Sequence, residues 1–262
     1  MKFSFEQLHN VRDLGGLSTT DGRQIRPGKL VRGSRLCAAS EADLSLIADR
    51  AEVIVDLRTR REIEERPDPD LPGTEWVFIP VIELLTAGIT REKKSDLEMI
   101  QQLLMHPENA MQHMCRMYEK FVTEEVVVRQ FEQFIRLLFV PRERAVYWHC
   151  TAGKDRVGIA ALLLEHLLGV REDLILADYL KSNEEYLEPE MPRLLMMIEK
   201  HLGALDPRAE GSLRILFGAR GEYMDALYQK VDELYGSMDE FLEDGLRISP
   251  DERVQLKKLY LE

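Results

Sequence analysis

Cys150 and Arg156 stand six residues apart in the run His149-Cys150-Thr151-Ala152-Gly153-Lys154-Asp155-Arg156-Val157-Gly158. A thiol and a guanidinium at the two ends of a short loop are the pair needed to attack a phosphate monoester. Sulfur, as the thiolate, is the nucleophile, and arginine grips two phosphate oxygens at once. An ordinary cysteine has a pKa of about 8.5, and a helix N-terminus with cationic neighbours lowers it to roughly 3.5–7.5. Arg156, Lys154 and the loop amides would supply that field. The expected reaction is in-line attack by Cys150, a cysteinyl-phosphate intermediate, then hydrolysis by water.

The spacing alone is a weak signal, and its flanks strengthen it. Ala145 to Trp148 is a short apolar run that reads as a buried strand, and Val157 to Leu168 is almost continuously apolar. Strand, tight loop and buried helix place the first orphan N–H groups of the helix in one concavity, with the helix dipole favouring an anion. Thr151, Ala152, Gly153, Lys154 and Val157 would line that phosphate site. The plainer reading is a core cysteine at a strand end. His149, immediately before the nucleophile, is a secondary candidate, as are Asp56 and Arg58, which end another apolar run, Val53 to Val55. If that run is a strand parallel to 145–149, Asp56 and Arg58 emerge at the same sheet edge as Cys150, as an acid or as an ion pair.

These ten residues resemble the signature of the cysteine-dependent protein tyrosine phosphatase superfamily. The Gly-Lys-Asp-Arg version is similar to that of the atypical, largely microbial tyrosine phosphatases with combined protein and phosphoinositide activity. Asn10 to Gly16, the Asp21-Gly22-Arg23 turn, Gly28 to Arg32, Asp56-Leu57-Arg58 and Tyr235 to Glu262 resemble the same family. The resemblance implies a phosphorylated protein or phosphoinositide substrate, a helical lid over the pocket and, through Lys154, contact with a second phosphate. Two departures stand out. The segment after the third strand, where many relatives carry an aspartate that protonates the leaving oxygen, reads Val81-Ile82-Glu83-Leu84, and Val157 replaces the usual serine or threonine after the arginine. A carboxylate beside a dianionic phosphate is disfavoured while charged. Asp155 is therefore the expected general acid, with Asp56 and Glu83 as substitutes. Val157 predicts slow breakdown of the phospho-enzyme, eased by Thr151.

The elements that must position this loop follow from pattern. Asp21-Gly22 between extended segments predicts an N-terminal hairpin, and Gly28 to Ser34, Val53 to Arg58, Trp76 to Pro80 and 145–149 predict strands. Ser40 caps a helix, Glu62 to Glu65 reads as an acidic turn, and Pro67 to Gly73 as a loop. Arg12 and Arg32 read as solvated rather than reaching the phosphate pocket. Glu124 to Val140 is an amphipathic helix, the helix from Val157 should close at Gly169, and Arg171 to Lys181, Pro189 to Leu202 and Gly221 to Tyr235 make the C-terminal half helical, with capping boxes at Ser237 and Ser249. The fold class is α/β: a central, mostly parallel sheet of about four to five strands flanked by helices. One phosphatase domain over 1–262 is expected, with 84–122 a helical lid insertion or ordinary core filling. That stretch holds Met99, Met105, Met111, Met114 and Met117.

Composition narrows the rest. A net charge of −12 argues against nucleic-acid and anionic-membrane surfaces, so attraction for phosphate must be local. Cys37, Cys115 and Cys150 form neither a paired disulfide framework nor a metal pattern, so no cofactor and no metal are expected. Without a signal-peptide pattern or a membrane-length apolar run, the expected location is cytoplasmic. Oligomeric state is not legible. Two other classes use such a loop: a phosphotyrosine- or phosphoinositide-binding module without turnover, and a sulfur- or arsenate-handling thiolate enzyme.

Overall fold

The two apolar runs that bracket the chemistry, Ala51–Asp56 (β3) and Ala145–His149 (β5), are adjacent parallel strands at the centre of a five-stranded sheet. Their near-continuous hydrophobicity is what a parallel strand covered on both faces requires. The computed structural model describes residues 5–81, 101–202 and 207–262. Leu30–Gly33 (β2) runs parallel to β5 on one side, and Glu75–Phe78 (β4) runs parallel to β3 on the other. Arg12–Asp13 (β1) closes the β2 edge antiparallel, giving the order β1-β2-β5-β3-β4. The mostly parallel α/β sheet read from the sequence is therefore the fold.

Register decides where the site lies. Gly33, His149 and Asp56 are aligned across β2, β5 and β3, so Ser34, Cys150 and Leu57 leave the sheet along one carboxyl-terminal edge. Pleating divides the side chains. Val146 and Trp148 pack with Val53 and Val55 into the larger core, while Ala145 and Tyr147 pack with Ile54, Val31 and Ile47 into the smaller one. Ile47 belongs to Glu41–Arg50 (α1), whose capping box is built on Ser40 and Asp43.

The expected acidic turn after β3 is instead a short helix, Arg60–Glu65 (α2), with Thr59 and Glu62 forming a capping box. Two reciprocal side-chain bonds to the orphan amides are enough to convert a charged turn into a helical one. Pro107–Thr123 (α3) buries Met114, Met117, Tyr118 and Phe121, so this part of the expected lid lies in the core. Residues 84–100 of that expected lid, and Glu83, lie outside the described residues.

Glu125–Leu137 (α4) turns Val127, Phe131, Phe134 and Ile135 inward, and Phe134 lies against Trp148 of β5. Asp155–Leu168 (α5) is buried on nearly every side and ends at Gly169 in the left-handed conformation, φ 81°. A helix apolar all round belongs at the centre of a fold, and α5 runs there directly from the loop. Glu172–Leu180 (α6), Glu188–Leu202 (α7), Pro207–Phe217 (α8), Gly221–Tyr235 (α9) and Pro250–Tyr260 (α10) make up the helical C-terminal half. The Asp21-Gly22 turn forms with Gly22 at φ 87°, and the hairpin docks on the C-terminal segment through an Ile25–Leu261 bridge. Ser249 makes its capping box, whereas Ser237 caps through the amide of Glu240 alone. Among the described residues no helix is long and apolar enough to cross a membrane.

Candidate active site

Between β5 and α5 the chain turns through Cys150 to Lys154. Every carbonyl of that turn is bound. Those of Thr151, Ala152 and Gly153 accept from the Arg35 amide at 3.5 Å, Asn10 Nδ2 at 2.9 Å and Arg32 Nη2 at 3.0 Å. Lys154 O accepts from Gly158 N, and Cys150 O lies 3.3 Å from His149 Nδ1. The N–H groups from Thr151 to Arg156 meet no acceptor among the described residues. Carbonyls tied outward and amides left open are the features an anion cradle requires, and the turn runs directly into the helix N-terminus. Gly153 makes the turn possible. It has φ 71°, and a Cβ there would lie 2.6 Å from the carbonyl oxygen of Gly33. Cys150, at the start of the cradle, is only 2% exposed.

Arg156 is held at the other end. Its Nη1 and Nη2 donate to Glu62 Oε2 and Oε1 at 2.7 and 2.8 Å, and the Thr151 hydroxyl donates to Oε1 at 2.5 Å. Burial works against the charge of Glu62, but the hydrogen bonds and charge of Arg156, then Thr151, hold its carboxyl well below the usual range. Burial likewise opposes Arg156, while Glu62 and the nearby Cys150 raise its pKa. The Thr151 hydroxyl would have to leave Glu62 before it could assist a departing sulfur.

Behind the cradle, Arg12 and Arg32 are buried, not solvated as the sequence suggested, and they brace the loop rather than reach a phosphate. Arg32 spans from Gly153 O to Asp178 Oδ2, at 3.0 and 2.6 Å. Arg12 donates to Asp178 Oδ1 at 2.6 Å and to the side-chain oxygen of Asn10 at 2.5 Å. Because the carboxylate of Asp178, on α6, satisfies both guanidiniums, burial does not neutralise it, and its pKa lies below the ordinary value. Glu165, buried beside it, is pushed the other way by burial and by the charge of Asp178.

Beneath Cys150, register brings His149 to Asp56 as the parallel pairing required, yet neither lines the cradle. Both are fully buried with Arg58. The Arg58 guanidinium contacts Asp56 Oδ2 at 2.7 Å and Asp68 Oδ2 at 2.6 Å. Burial opposes the charge of Asp56, but the hydrogen bonds and charge of Arg58, with His149 alongside, outweigh it and lower its pKa. Burial lowers the pKa of His149, against the opposing pull of Asp56 and Asp68. Ligating atoms of Asp56, Asp68 and His149 lie within 4.8 Å of one another. The arginine between the two carboxylates already supplies the cation that such a cluster needs.

Asp155 opens α5 at the cradle. Its Oδ1 accepts from the Tyr118 hydroxyl at 2.6 Å and lies 3.2 Å from Lys154 Nζ, and Tyr118 is bonded in turn to Tyr179 at 2.6 Å. Burial, then the charge of Asp155, push the Tyr118 pKa well above its ordinary value, so it remains a phenol donor. The Lys154 ammonium is turned into the protein, donating to the carbonyls of Leu216 and Gly218 at 3.0 and 2.9 Å. Val157 is buried in the core, and its carbonyl faces the indole N–H of Trp148 at 3.4 Å.

Sequence reading missed Glu62, Asn10, Asp68, Tyr118 and Asp178. Glu62 had a local signal in the Thr59-x-x-Glu62 capping pattern, and Asn10 opens a stretch that resembles the family. Compared with known proteins, the chain is 33% identical over 262 residues to a Cupriavidus necator protein named "putative tyrosine-protein phosphatase", covering 98% of this chain and 88% of that protein. It is 28% identical over 258 residues to the triple specificity protein phosphatase PtpB of Mycobacterium tuberculosis, covering 90% and 91%. A tyrosine-protein phosphatase of Nostoc commune is 29% identical over 231 residues, covering 87% and 72%. The profile of the tyrosine phosphatase family matches residues 3–262, the cradle and its braces included, and the chain belongs to that family.

Proposed function

We propose that the protein hydrolyses phosphotyrosine in proteins through a cysteinyl-phosphate intermediate. The observation that carries this reading is the cradle itself: a turn whose carbonyls are all bound outward and whose amides are open, with Cys150 at its start and an immobilised guanidinium at its end. Open amides and Arg156 take the phosphate oxygens, and the charge they gain in the transition state is stabilised by donors already in position. The Cys150 thiolate attacks phosphorus as the bond to the tyrosyl oxygen breaks. That oxygen takes a proton from Asp155. Water then attacks phosphorus, the sulfur–phosphorus bond breaks, Asp155 recovers a proton from the water, and phosphate leaves. Hydrogen bonds to Asp155 fall on Oδ1, so Oδ2 is the atom assigned the proton.

A phosphoinositide range would draw on Lys154 for a second phosphate. Because that ammonium is engaged by two main-chain carbonyls, phosphotyrosine is the better-supported substrate.

The test is turnover of phosphotyrosine and phosphoserine peptides by the wild type and by Cys150→Ser, with acid quench and mass spectrometry of the wild type during turnover. Phosphate on Cys150 and a silent serine variant are expected. Tight peptide binding without hydrolysis would convert the reading to a binding module.

A further inference from the structure

Beside the loop, on the Thr151 side, the surface falls into a cleft of about 280 Å³ whose walls include Arg35, Arg66, Arg193, Tyr186 and Glu190. Three arginines lining one cleft are unexpected in a chain of net charge −12. Arg193 is partly neutralised, its Nε lying 2.6 Å from Glu190. Arg35 and Arg66 pair with no carboxylate among the described residues. Their main chains are nonetheless fixed to the site. The Arg35 amide donates to Thr151 O, and Arg66 O accepts from Arg58, the arginine that neutralises Asp56. Two arginines on anchored backbone without a carboxylate partner among the described residues, with a third shared, leave positive charge available for an anion.

Thr151, adjacent to the nucleophile, joins this cleft to the cradle. In an extended peptide, neighbouring residues are about 3.3 Å apart along the chain, so an anion seated in the cleft would be carried by a residue close to the phosphotyrosine. A cleft of this size takes a side chain rather than a folded surface. We infer that Arg35, Arg66 and Arg193 form a subsite for a carboxylate side chain flanking the phosphotyrosine, so that acidic phosphopeptides are the favoured substrates. This rests on the phosphotyrosine reading above. A lipid source for the anion is disfavoured by the overall charge, since an anionic bilayer repels a protein of net −12.

The test compares two phosphotyrosine peptides of equal length, one with glutamates on both sides of the phosphotyrosine and one with glutamines, and takes the ratio of their kcat/KM. p-Nitrophenyl phosphate, which has no flanking group, is run beside them. At low salt the wild type should prefer the glutamate peptide about tenfold, the range of one or two charge-assisted pairs, and the preference should shrink as salt rises. Arg35→Met with Arg66→Met should bring the ratio near one. Glu190→Gln, which removes the carboxylate competing for Arg193, should raise it a few-fold. A ratio near one in the wild type, or one that survives the double substitution, overturns the subsite. So does a loss shared equally by both peptides and p-nitrophenyl phosphate, which would mean damage to the loop. Vesicles of phosphatidylcholine doped with a phosphatidylinositol phosphate form a further arm. If only vesicle turnover falls on substitution, the cleft serves a lipid and the inference fails. Should the wild type turn over nothing, the phosphatase reading fails, and the same ratio taken from peptide dissociation constants decides the subsite.

Discussion

Arg156 meets Glu62 edge to edge, with its two terminal nitrogens donating to the two carboxylate oxygens at 2.7 and 2.8 Å. A guanidinium carries five N–H donors. Pairing one from each terminal nitrogen with Glu62 fixes the plane of the group and leaves its remaining donors unused by that carboxylate. The same carboxylate holds the Thr151 hydroxyl and the amide of Thr59, so one side chain ties the loop, the clamp and the start of α2 together.

Glu62→Gln keeps the shape of this side chain and removes its charge, and the amide nitrogen cannot accept from the guanidinium. Arg156 should then swing among several orientations. We expect kcat/KM for p-nitrophenyl phosphate to fall by about 10–100-fold, the range for a misplaced clamp. Wild-type activity in this variant would mean that phosphate alone orients the arginine.

Asp178→Asn tests the brace behind the loop. It leaves two buried guanidiniums facing a neutral amide, and removing one partner of a buried ion network costs about 3–5 kcal/mol. Urea unfolding should show that loss. A change under 1 kcal/mol, on the order of an exposed pair, would show that water replaces the carboxylate.

The cradle, its strand and its helix were legible because each is a local pattern: an apolar run, a glycine-bearing turn and a second apolar run. The same holds for the parallel pairing that brings Asp56 beside His149. What was not legible is who braces the turn. Glu62 and Arg156 are 94 residues apart, Arg32 and Asp178 are 146, and Asn10 and Ala152 are 142. Arginines are usually solvated, and nothing near Arg12 or Arg32 in the chain announces that a carboxylate on a distant helix will bury both. The partners of Lys154 were hidden for the same reason, since they are two distant backbone carbonyls that any sequence would supply.

Gly153→Ala should abolish the cradle while sparing the fold. A Cβ at this φ of 71° meets the Gly33 carbonyl at 2.6 Å, so the turn must open. Gly16 offers the comparison, because it has φ 89° but nothing lies within 4 Å of the place a methyl group would take. Gly16→Ala should cost only the left-handed conformation itself, about 1–2 kcal/mol, and leave kcat/KM near wild type. Gly153→Ala should lose activity by at least about 100-fold. Equal behaviour of the two variants in paired activity and melting measurements would remove the steric argument.

Asp155→Asn should separate leaving groups. A tyrosyl oxygen, with a pKa of about 10, needs a proton as it departs, and an activated nitrophenolate does not. The variant should therefore lose about 100-fold or more on phosphotyrosine and far less on p-nitrophenyl phosphate. An equal loss on both would place Asp155 in loop geometry, through its bond to Tyr118, rather than in proton transfer.

His166, on the buried helix that begins at the loop, predicts how stability follows pH. Burial lowers its pKa from 6.5 to about 4, and its ring nitrogen lies 2.9 Å from the Tyr228 hydroxyl. Between pH 6.5 and about 4 the unfolded chain binds a proton here that the folded chain refuses. Stability from this group is thus complete above pH 6.5 and is lost as pH falls toward 4. The difference of 2.5 in pKa corresponds to about 3 kcal/mol. His166→Phe, which keeps the edge contact with the Tyr228 ring, should flatten that part of the profile. Urea titrations of both proteins at intervals from pH 4 to 7 isolate the effect, because carboxylates that titrate in the same window contribute equally to each. Parallel profiles would mean that the imidazole reaches water in the folded state.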